Sequence, residues 1–411
     1  MVTEGFRKSA RSLTLLIAAL MLSEPVLAQH MFTVLPRATG EDENPITFMR
    51  PYYAIHTAAG SSLSTPPSTA FTPAQIRRAY GFDQVANQGA GQVIGIVDAY
   101  DDPNAEADLA VFDVKFGLPA CTSANGCFRK VYSGAKPAKN ANWALEIALD
   151  VEWAHAIAPK ATIVLVETPT NSLANLLTGV DVAVRNGASA VSMSWTVAEF
   201  SGENSYDNHF TASGVTYFAA AGDSGTGVAY PAASPDVVGV GGTSLHLNSS
   251  GNYQSETAWK GSGGGLSRIE REPLFQAQFA IPDDPRGYRG APDVSYNGDP
   301  GTGVAIYDSI GINGASGWFQ VGGTSAGTPQ WAALIAITNS TRAAARKAHL
   351  PSADTNLYAI AKSTMAVDFH PVTSGTNGSC GALCTATVGY DFVTGLGTPQ
   401  VPALIAALAA R

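Results

Sequence analysis

The sequence predicts an α/β fold with a mainly parallel central sheet covered by helices on both faces. Three observations carry that prediction. The first is a set of short apolar runs: Gln92–Asp98 (QVIGIVD), Thr162–Glu167 (TIVLVE), Ala190–Trp195 (AVSMSW), Val215–Ala221 (VTYFAAA) and Asp236–Gly241 (DVVGVG). Apolar and polar residues do not alternate strictly in them, the mark of strands buried on both faces. The second is the helix-like segments Asn104–Phe116, Asn142–Ile157 and Leu173–Asn186 that fall between those runs, since strands alternating with helices build parallel sheets. The third is composition: 45 % of the 411 residues are hydrophobic and only 14 % charged, so the chain has ample side chain to bury and is not a disordered one.

Taken in order, the chain opens on Arg7, Lys8 and Arg11, an apolar stretch from Leu13 to Leu22, and small residues at Val26-Leu27-Ala28. Positive, apolar and small-residue regions in that order read as a signal peptide over residues 1–28, and the apolar stretch is too short for a bilayer that needs ~20 residues. Export to the extracellular space or the periplasm is the expectation. Residues 29–72 are rich in Pro, Ser, Thr and Gly, with an acidic clump at Glu41-Asp42-Glu43, and read as a linker-like lead. The α/β domain then occupies 73–411 as a single unit. Lys and Arg number 24 against 33 Asp and Glu, a net charge of −9, which argues against nucleic acid or an anionic membrane surface as partner. A monomer is the default.

Four cysteines fall in two local pairs, Cys121 with Cys127 and Cys380 with Cys384. Three connectivities exist in principle, and proximity favours two small loops in an oxidising compartment. The spacings are not those of a zinc site.

Reactive side chains sit where ligand sites collect in such folds, at the carboxyl ends of strands and the helix starts that follow. Gly322-Gly323-Thr324-Ser325-Ala326-Gly327-Thr328-Pro329 precedes a helix-like run over Gln330–Thr338. A tight turn there exposes the Ser325 hydroxyl at a helix N-terminus, which favours negative charge; Pro329, early in the helix, removes no needed donor. The ordinary alternative is a serine N-cap. A serine nucleophile needs a base, yet none of the seven histidines has a Gly-flanked setting suited to one, and His155, inside an apolar helix, reads as structural. A different base is available in ALEIALDVEWAHAIAP: Glu146 and Asp150 are four residues apart, about 40° apart on one helix face. Two carboxylates so placed repel, and burial raises their pKa further, which favours a shared proton. Asp223, in AAGDSG after a buried strand, reads either as a turn residue or, when protonated, as a hydrogen-bond donor. A trypsin-like reading of GDSG fails, because Thr226-Gly227 follows it and no two-barrel pattern is present.

Together, GGTSAGTP, ALEIALDVEWAHAIAP, AAGDSG and the closing GYDFVTGLG resemble the sedolisin family of serine-carboxyl peptidases, from about Phe71 to the C-terminus. The resemblance implies a subtilisin-like three-layer fold and hydrolysis of peptide bonds in proteins or peptides. It implies Ser325 as nucleophile, Glu146 as general base, Asp150 orienting Glu146, and Asp223 donating to the oxyanion. Asp98, at the end of the first strand, matches an acidic residue that hydrogen-bonds the catalytic pair. Ser194 and Trp195 match the edge where a peptide pairs through its backbone, although Thr196-Val197 follows where relatives carry small residues. The family also holds one Ca²⁺ near its C-terminus. Asp391 matches one carboxylate and the carbonyls of Val372, Thr387 and Gly389 fall at matching positions, but Pro371 stands where a second Asp is expected, so a weakened site is the expectation. Residues 29–71 are too few for the family's folded prodomain. The leading reading is an exported, acid-acting endopeptidase, because a carboxylate base and a protonated Asp both belong to acid. The alternatives are a catalytically inactive peptide-binding relative and a neutral subtilisin-like peptidase.

Overall fold

The computed structural model describes residues 49–51, 53–55, 63–282 and 286–411. The signal-peptide expectation for 1–28 and the lead over 29–48 lie outside the described residues. In chain order the structure runs through β1 (Arg50–Pro51), β2 (Ala54–Ile55), α1 (Pro73–Tyr80), β3 (Val93–Ala99), α2 (Ala105–Phe116) and β4 (Phe128–Tyr132). Then come α3 (Ala141–Ile157), β5 (Thr162–Thr168), α4 (Leu173–Arg185), β6 (Ala190–Met193), β7 (Trp195–Ala198), β8 (Thr216–Ala220) and β9 (Ala229–Tyr230). The second half holds β10 (Val238–Leu247), β11 (Tyr253–Ala258), β12 (Gly265–Arg271), α5 (Leu274–Phe279), β13 (Tyr288–Ala291), β14 (Val294–Asn297), β15 (Val304–Ile312) and β16 (Ala315–Gly322). It closes with α6 (Thr324–Ala344), α7 (Ala353–Asp368) and α8 (Val401–Ala410).

The main sheet has the order β11-β10-β8-β6-β3-β5-β4, with β14 also on β10. Only the β10–β11 pair is antiparallel. The non-alternating apolar runs now have their reason. On β3, Ile94 and Ile96 enter one core, whereas Val97 and Ala99 enter the other. On β5, Ile163 and Leu165 go with the first core, and Val164 and Val166 with the second. After the first residue every position of these strands is buried, and the polar ones, Asp98, Glu167 and Thr168, gather at the carboxyl ends.

Helices α3 and α6 pack against each other in the first layer, and α4 lies against β3 and β5. Asn140 caps α3, its side-chain oxygen accepting from the backbone N–H of Asn142 and Trp143. Fifteen of the seventeen α3 residues are buried, against a polar outer face in an ordinary surface helix. That position, between the sheet, α6 and β15, is what strips water from Glu146 and Asp150. Helix α6 begins earlier than the sequence suggests, at Thr324, so Pro329 lies inside it. Pro329 has no N–H to give the Ser325 carbonyl, so one first-turn helical bond is missing.

The linker-like reading of residues 29–72 is overturned in its described part. β1 pairs with β7, and β2 pairs with β16. Leu63 bridges Gly317, Phe71 bridges Val304, and the Thr69 hydroxyl donates to Gln320. A segment poor in apolar periodicity is held here through its backbone, and such pairing leaves no pattern in side chains. Cys121–Cys127 and Cys380–Cys384 are disulfides. His155 lies near the first pair, but those sulfurs are bonded to each other and offer no thiolate to a metal.

Candidate active site

The fold delivers the singled-out side chains to one end of the sheet. Asp98 is the next-to-last residue of β3, Ser194 follows β6, and Asp223 follows β8, all at carboxyl ends of parallel strands. Ser325 is the second residue of α6. Gly322 and Gly323 set its turn. A Cβ on Gly322 would stand 2.4 Å from the Pro300 nitrogen, and Gly323 has φ +125°, open to glycine and strained for other residues.

Around Ser325 the structure gathers carboxyl groups and no histidine among the described residues. The Ser325 Oγ lies 3.4 Å from the Ser194 carbonyl, as donor. Glu146 and Asp150 are fully buried, and so is Asp98. Neither oxygen of Glu146 completes a hydrogen bond, although the Ser325 hydroxyl is the one neighbour that holds the Glu146 pKa down. Loose contacts of this kind are usual before a substrate arrives. Burial, then the charges of Asp150, Asp98 and Asp223, push Glu146 well above the ordinary carboxylate range. Burial and Asp98 do the same to Asp150, opposed by the Ser194 hydroxyl, which donates to Asp150 Oδ1 at 2.8 Å. Asp98 is raised by burial alone, and both its oxygens lack partners. Three like carboxyl groups in so little water share protons rather than ionise together.

Asp223 is built differently. Its Oδ1 accepts from the Thr324 N–H at 2.8 Å and the Thr324 hydroxyl at 2.9 Å. Its Oδ2 is buried and unpartnered. Burial pushes the carboxyl up to about 7, with the two Thr324 bonds opposing. Below that value Oδ2 carries a proton and no acceptor, one helix residue away from Ser325. Thr324 escaped the sequence reading. Its only signal was its place between Gly323 and Ser325, and it also accepts from the Gly222 N–H at 3.0 Å.

Trp195 points its indole N–H at the Val97 carbonyl, 2.8 Å away, and is fully buried. The role open to it is therefore a backbone one. β7 carries β9 on one edge and β1 on the other. Thr196 and Val197 are themselves buried. Past the end of β7 a cavity of about 470 Å³ opens, lined by Ala198, Glu199, Thr226, Val228, Arg268 and Leu383 among others. His155 is buried with Nε2 2.9 Å from the Pro119 carbonyl, its pKa lowered by burial, a structural histidine.

The expected calcium ligands do not fit the ion. Asp391 spends both oxygens inside the protein: Oδ1 accepts from Val393 N–H and Thr394 N–H at 2.9 Å each, and Oδ2 from the Thr394 hydroxyl at 2.8 Å and Thr387 N–H at 3.3 Å. Pro371 supplies no carboxylate. Calcium seeks six to eight oxygens and gains affinity from ligand charge, whereas here one carboxylate is already saturated.

A buried serine opening a helix beside paired carboxyl groups, on a parallel sheet of this order, defines a peptidase of the serine-carboxyl class with a subtilisin-like fold. The Subtilase family model (Peptidase_S8) matches residues 138–355. Kumamolisin of Bacillus sp. (strain MN-32) is 32% identical over 410 residues, covering 90% of this chain and 69% of that protein. Sedolisin of Pseudomonas sp. (strain 101) is 34% identical over 189 residues, 44% of this chain and 30% of that protein. The solved structure of Pseudomonas sedolisin complexed with two molecules of pseudo-iodotyrostatin superposes with a TM-score of 0.72 at 25% identity, covering 83% of this chain and 98% of that one. The chain belongs to the sedolisin family of serine-carboxyl peptidases, hydrolases of peptide bonds.

Proposed function

We propose that the protein is an exported, acid-acting endopeptidase that cuts proteins by acyl transfer through Ser325. The observation that carries this reading is the burial of Ser325 beside the Glu146–Asp150 pair, with no histidine at hand among the described residues. Glu146 takes the Ser325 proton as the hydroxyl attacks the scissile carbonyl and returns it to the leaving amine. Asp150, fixed by Ser194, and Asp98 share the proton load, so that Glu146 alone is free to be a base. Protonated Asp223 donates from Oδ2 to the oxyanion as charge develops there. Backbone pairing holds the peptide along the edge of β7 that β1 occupies, in place of β1. The N-terminal signal reading supports export. Among the described residues no helix is long and apolar enough to cross a membrane. The enzyme acts as a monomer and needs no Ca²⁺.

The test is hydrolysis of a denatured protein across the range from about pH 2 to about pH 8, wild type beside Ser325→Ala and Glu146→Gln. Cleavage confined to acid and lost in both variants is expected. A neutral optimum sinks the Glu146 assignment, and a folded, inactive wild type promotes the peptide-binding alternative.

A further inference from the structure

We propose that the loop over residues 376–385, closed by the Cys380–Cys384 disulfide, is a clamp that aims Asp223, and that Asn377 is its positioning residue. The inference rests on reading Asp223 as the oxyanion donor and adds the part of the chain that holds it in place. Asp223 opens the stretch Asp223-Ser224-Gly225-Thr226-Gly227, which contains no apolar residue to anchor it in a core. Backbone partners therefore set its course. Just before Asp223, the Gly222 carbonyl accepts from the Gly263 N–H at 2.7 Å. After it, the Gly225 N–H donates to the Gly261 carbonyl at 2.8 Å, and Gly227 and Gly264 exchange two bonds of 2.8 Å each. Thr226 turns the other way, its N–H donating to the Asn377 carbonyl at 2.9 Å.

Asn377 joins both sets of contacts. It is buried, and its side-chain amide donates to the Ser262 carbonyl at 2.8 Å. One residue thus grips the Asp223 stretch through its backbone and the facing run, 261–264, through its side chain. The approach is close: a Cβ on Gly225 would stand 2.7 Å from the Asn377 carbonyl oxygen. Asn377 Oδ1 is buried without a partner, and an acceptor left open detracts from stability, so what the amide contributes through Nδ2 is location.

The disulfide fixes Asn377 in turn. The Asn377 N–H donates to the Cys384 carbonyl at 3.0 Å, Cys384 is buried, and its bond to Cys380 closes the turn between them. Cys380 Sγ lies 3.6 Å from the Thr226 hydroxyl. Cys380 and Leu383 line the cavity beyond β7 together with Thr226 and Val228, so the clamp and the Asp223 stretch form one wall. Thr324 already holds Asp223 Oδ1. Releasing Thr226 lets the carboxyl pivot on that oxygen and swing Oδ2, and a misplacement of about 1 Å costs up to about 10²-fold in rate.

The test is a double-mutant cycle at about pH 3, on a quenched peptide built around a bond that the wild type cuts in a denatured protein. Asn377→Ala, Asn377→Asp and the paired Cys380→Ser/Cys384→Ser variant are each made with and without Asp223→Ala, and Tm is recorded for every chain. Asn377→Ala is expected to lower kcat about 10-fold with KM within about twofold, and to lower it no further once Asp223 is gone. The cysteine pair is expected to lose about threefold, again only where Asp223 is present. Asn377→Asp can donate to the Ser262 carbonyl while protonated. It is expected to keep at least about half of wild-type kcat at about pH 3 and to lose it as pH rises through the ordinary carboxyl range near about 4. Should Asn377→Ala be unfolded at the assay temperature, the aspartate variant and the cysteine pair decide by the same cycle. Equal losses with and without Asp223, or an unchanged kcat in all three, overturn the clamp; a wild type that Ser325→Ala inactivates then leaves the peptidase reading standing. A folded wild type that cuts nothing overturns both.

Discussion

The cleft and the C-terminal turn at Asp391 put the same functional group to opposite uses. In the turn, one carboxylate takes four protein donors and has no capacity left. In the cleft, Glu146 and Asp98 have no completed hydrogen bond, and Asp150 and Asp223 each keep one oxygen open. A buried polar atom without a partner costs about 1–3 kcal/mol, so this region carries a burden that the turn avoids. The pKa values follow: burial lifts Asp391 to about 6 against its four donors, and lifts Asp223, with two, to about 7. Saturation suits a carboxylate that shapes the chain, and vacancy suits the roles proposed for the cleft carboxyls.

The sharpest way to break this contrast is to remove the groups the cleft keeps open. Ser325→Ala and Glu146→Gln are expected to lower kcat by roughly four to six orders of magnitude, as removal of a member of a cooperating triad does. Both should stay folded, because Glu146→Gln replaces a buried carboxyl by an amide of nearly the same volume. Retention of more than about a hundredth of wild-type kcat in Glu146→Gln would falsify its role as base.

Asp223 comes next. Asp223→Ala should lose about 10²–10³ in kcat with KM little changed, the scale of one oxyanion donor. Its donor exists only while protonated, so activity that depends on it is full in acid and falls as pH rises through about 7. Asp223→Asn keeps an N–H there at every pH and should retain more activity than the alanine variant. Its neutral-side decline is expected to lose the part due to Asp223. Profiles of the two variants with identical shape and height would assign Asp223 to the turn alone.

Much of this was legible in the sequence, for a physical reason. Strand β5 and helix α3 are named by their apolar runs because nearly every side chain there faces a packed layer. Glu146 and Asp150 stand out because charge in such a run is costly unless it has work to do. The path of β1 and β2 was not legible, since both are held by backbone pairing to β7 and β16, to which Arg50, Pro51 and Ala54 lend no pattern. Nor was the grip of Thr324 on Asp223, which is made by residues 101 apart in sequence. The matched positions around Asp391 raised the expectation of a cation, whereas the four donors, which lie within eight residues of chain, left no pattern in the sequence.

The turn can be tested from its own side. Asp391→Ala strands the N–H groups of Val393, Thr394 and Thr387 and the Thr394 hydroxyl, and should cost about 2–4 kcal/mol of stability, read as a lower Tm in an inactive Ser325→Ala background. A smaller effect runs the other way in the cleft. Asp98 has a raised folded pKa, so the stability it gives is present below its unfolded value of about 4 and is lost as pH rises through the folded one. Asp98→Asn should flatten the fall in Tm between acid and neutral pH. An unchanged slope would mean that other buried carboxyl groups, Glu152 and Glu167 among them, govern it.

The smallest expected effect is none at all, and it bears most directly on the contrast. If the four donors to Asp391 replace a cation, unfolding of the Ser325→Ala protein should give one Tm with excess calcium and with chelator. A bound ion at a hundred times its Kd adds about 2.7 kcal/mol, a shift of several degrees that calorimetry resolves easily. Such a shift, abolished by Asp391→Asn, would show that the carboxylate releases its protein donors for the ion. The turn would then be as open as the cleft, and saturation would no longer separate the two. Coincident curves, together with the loss on Asp391→Ala, leave hydrogen bonds as the sole support of the turn.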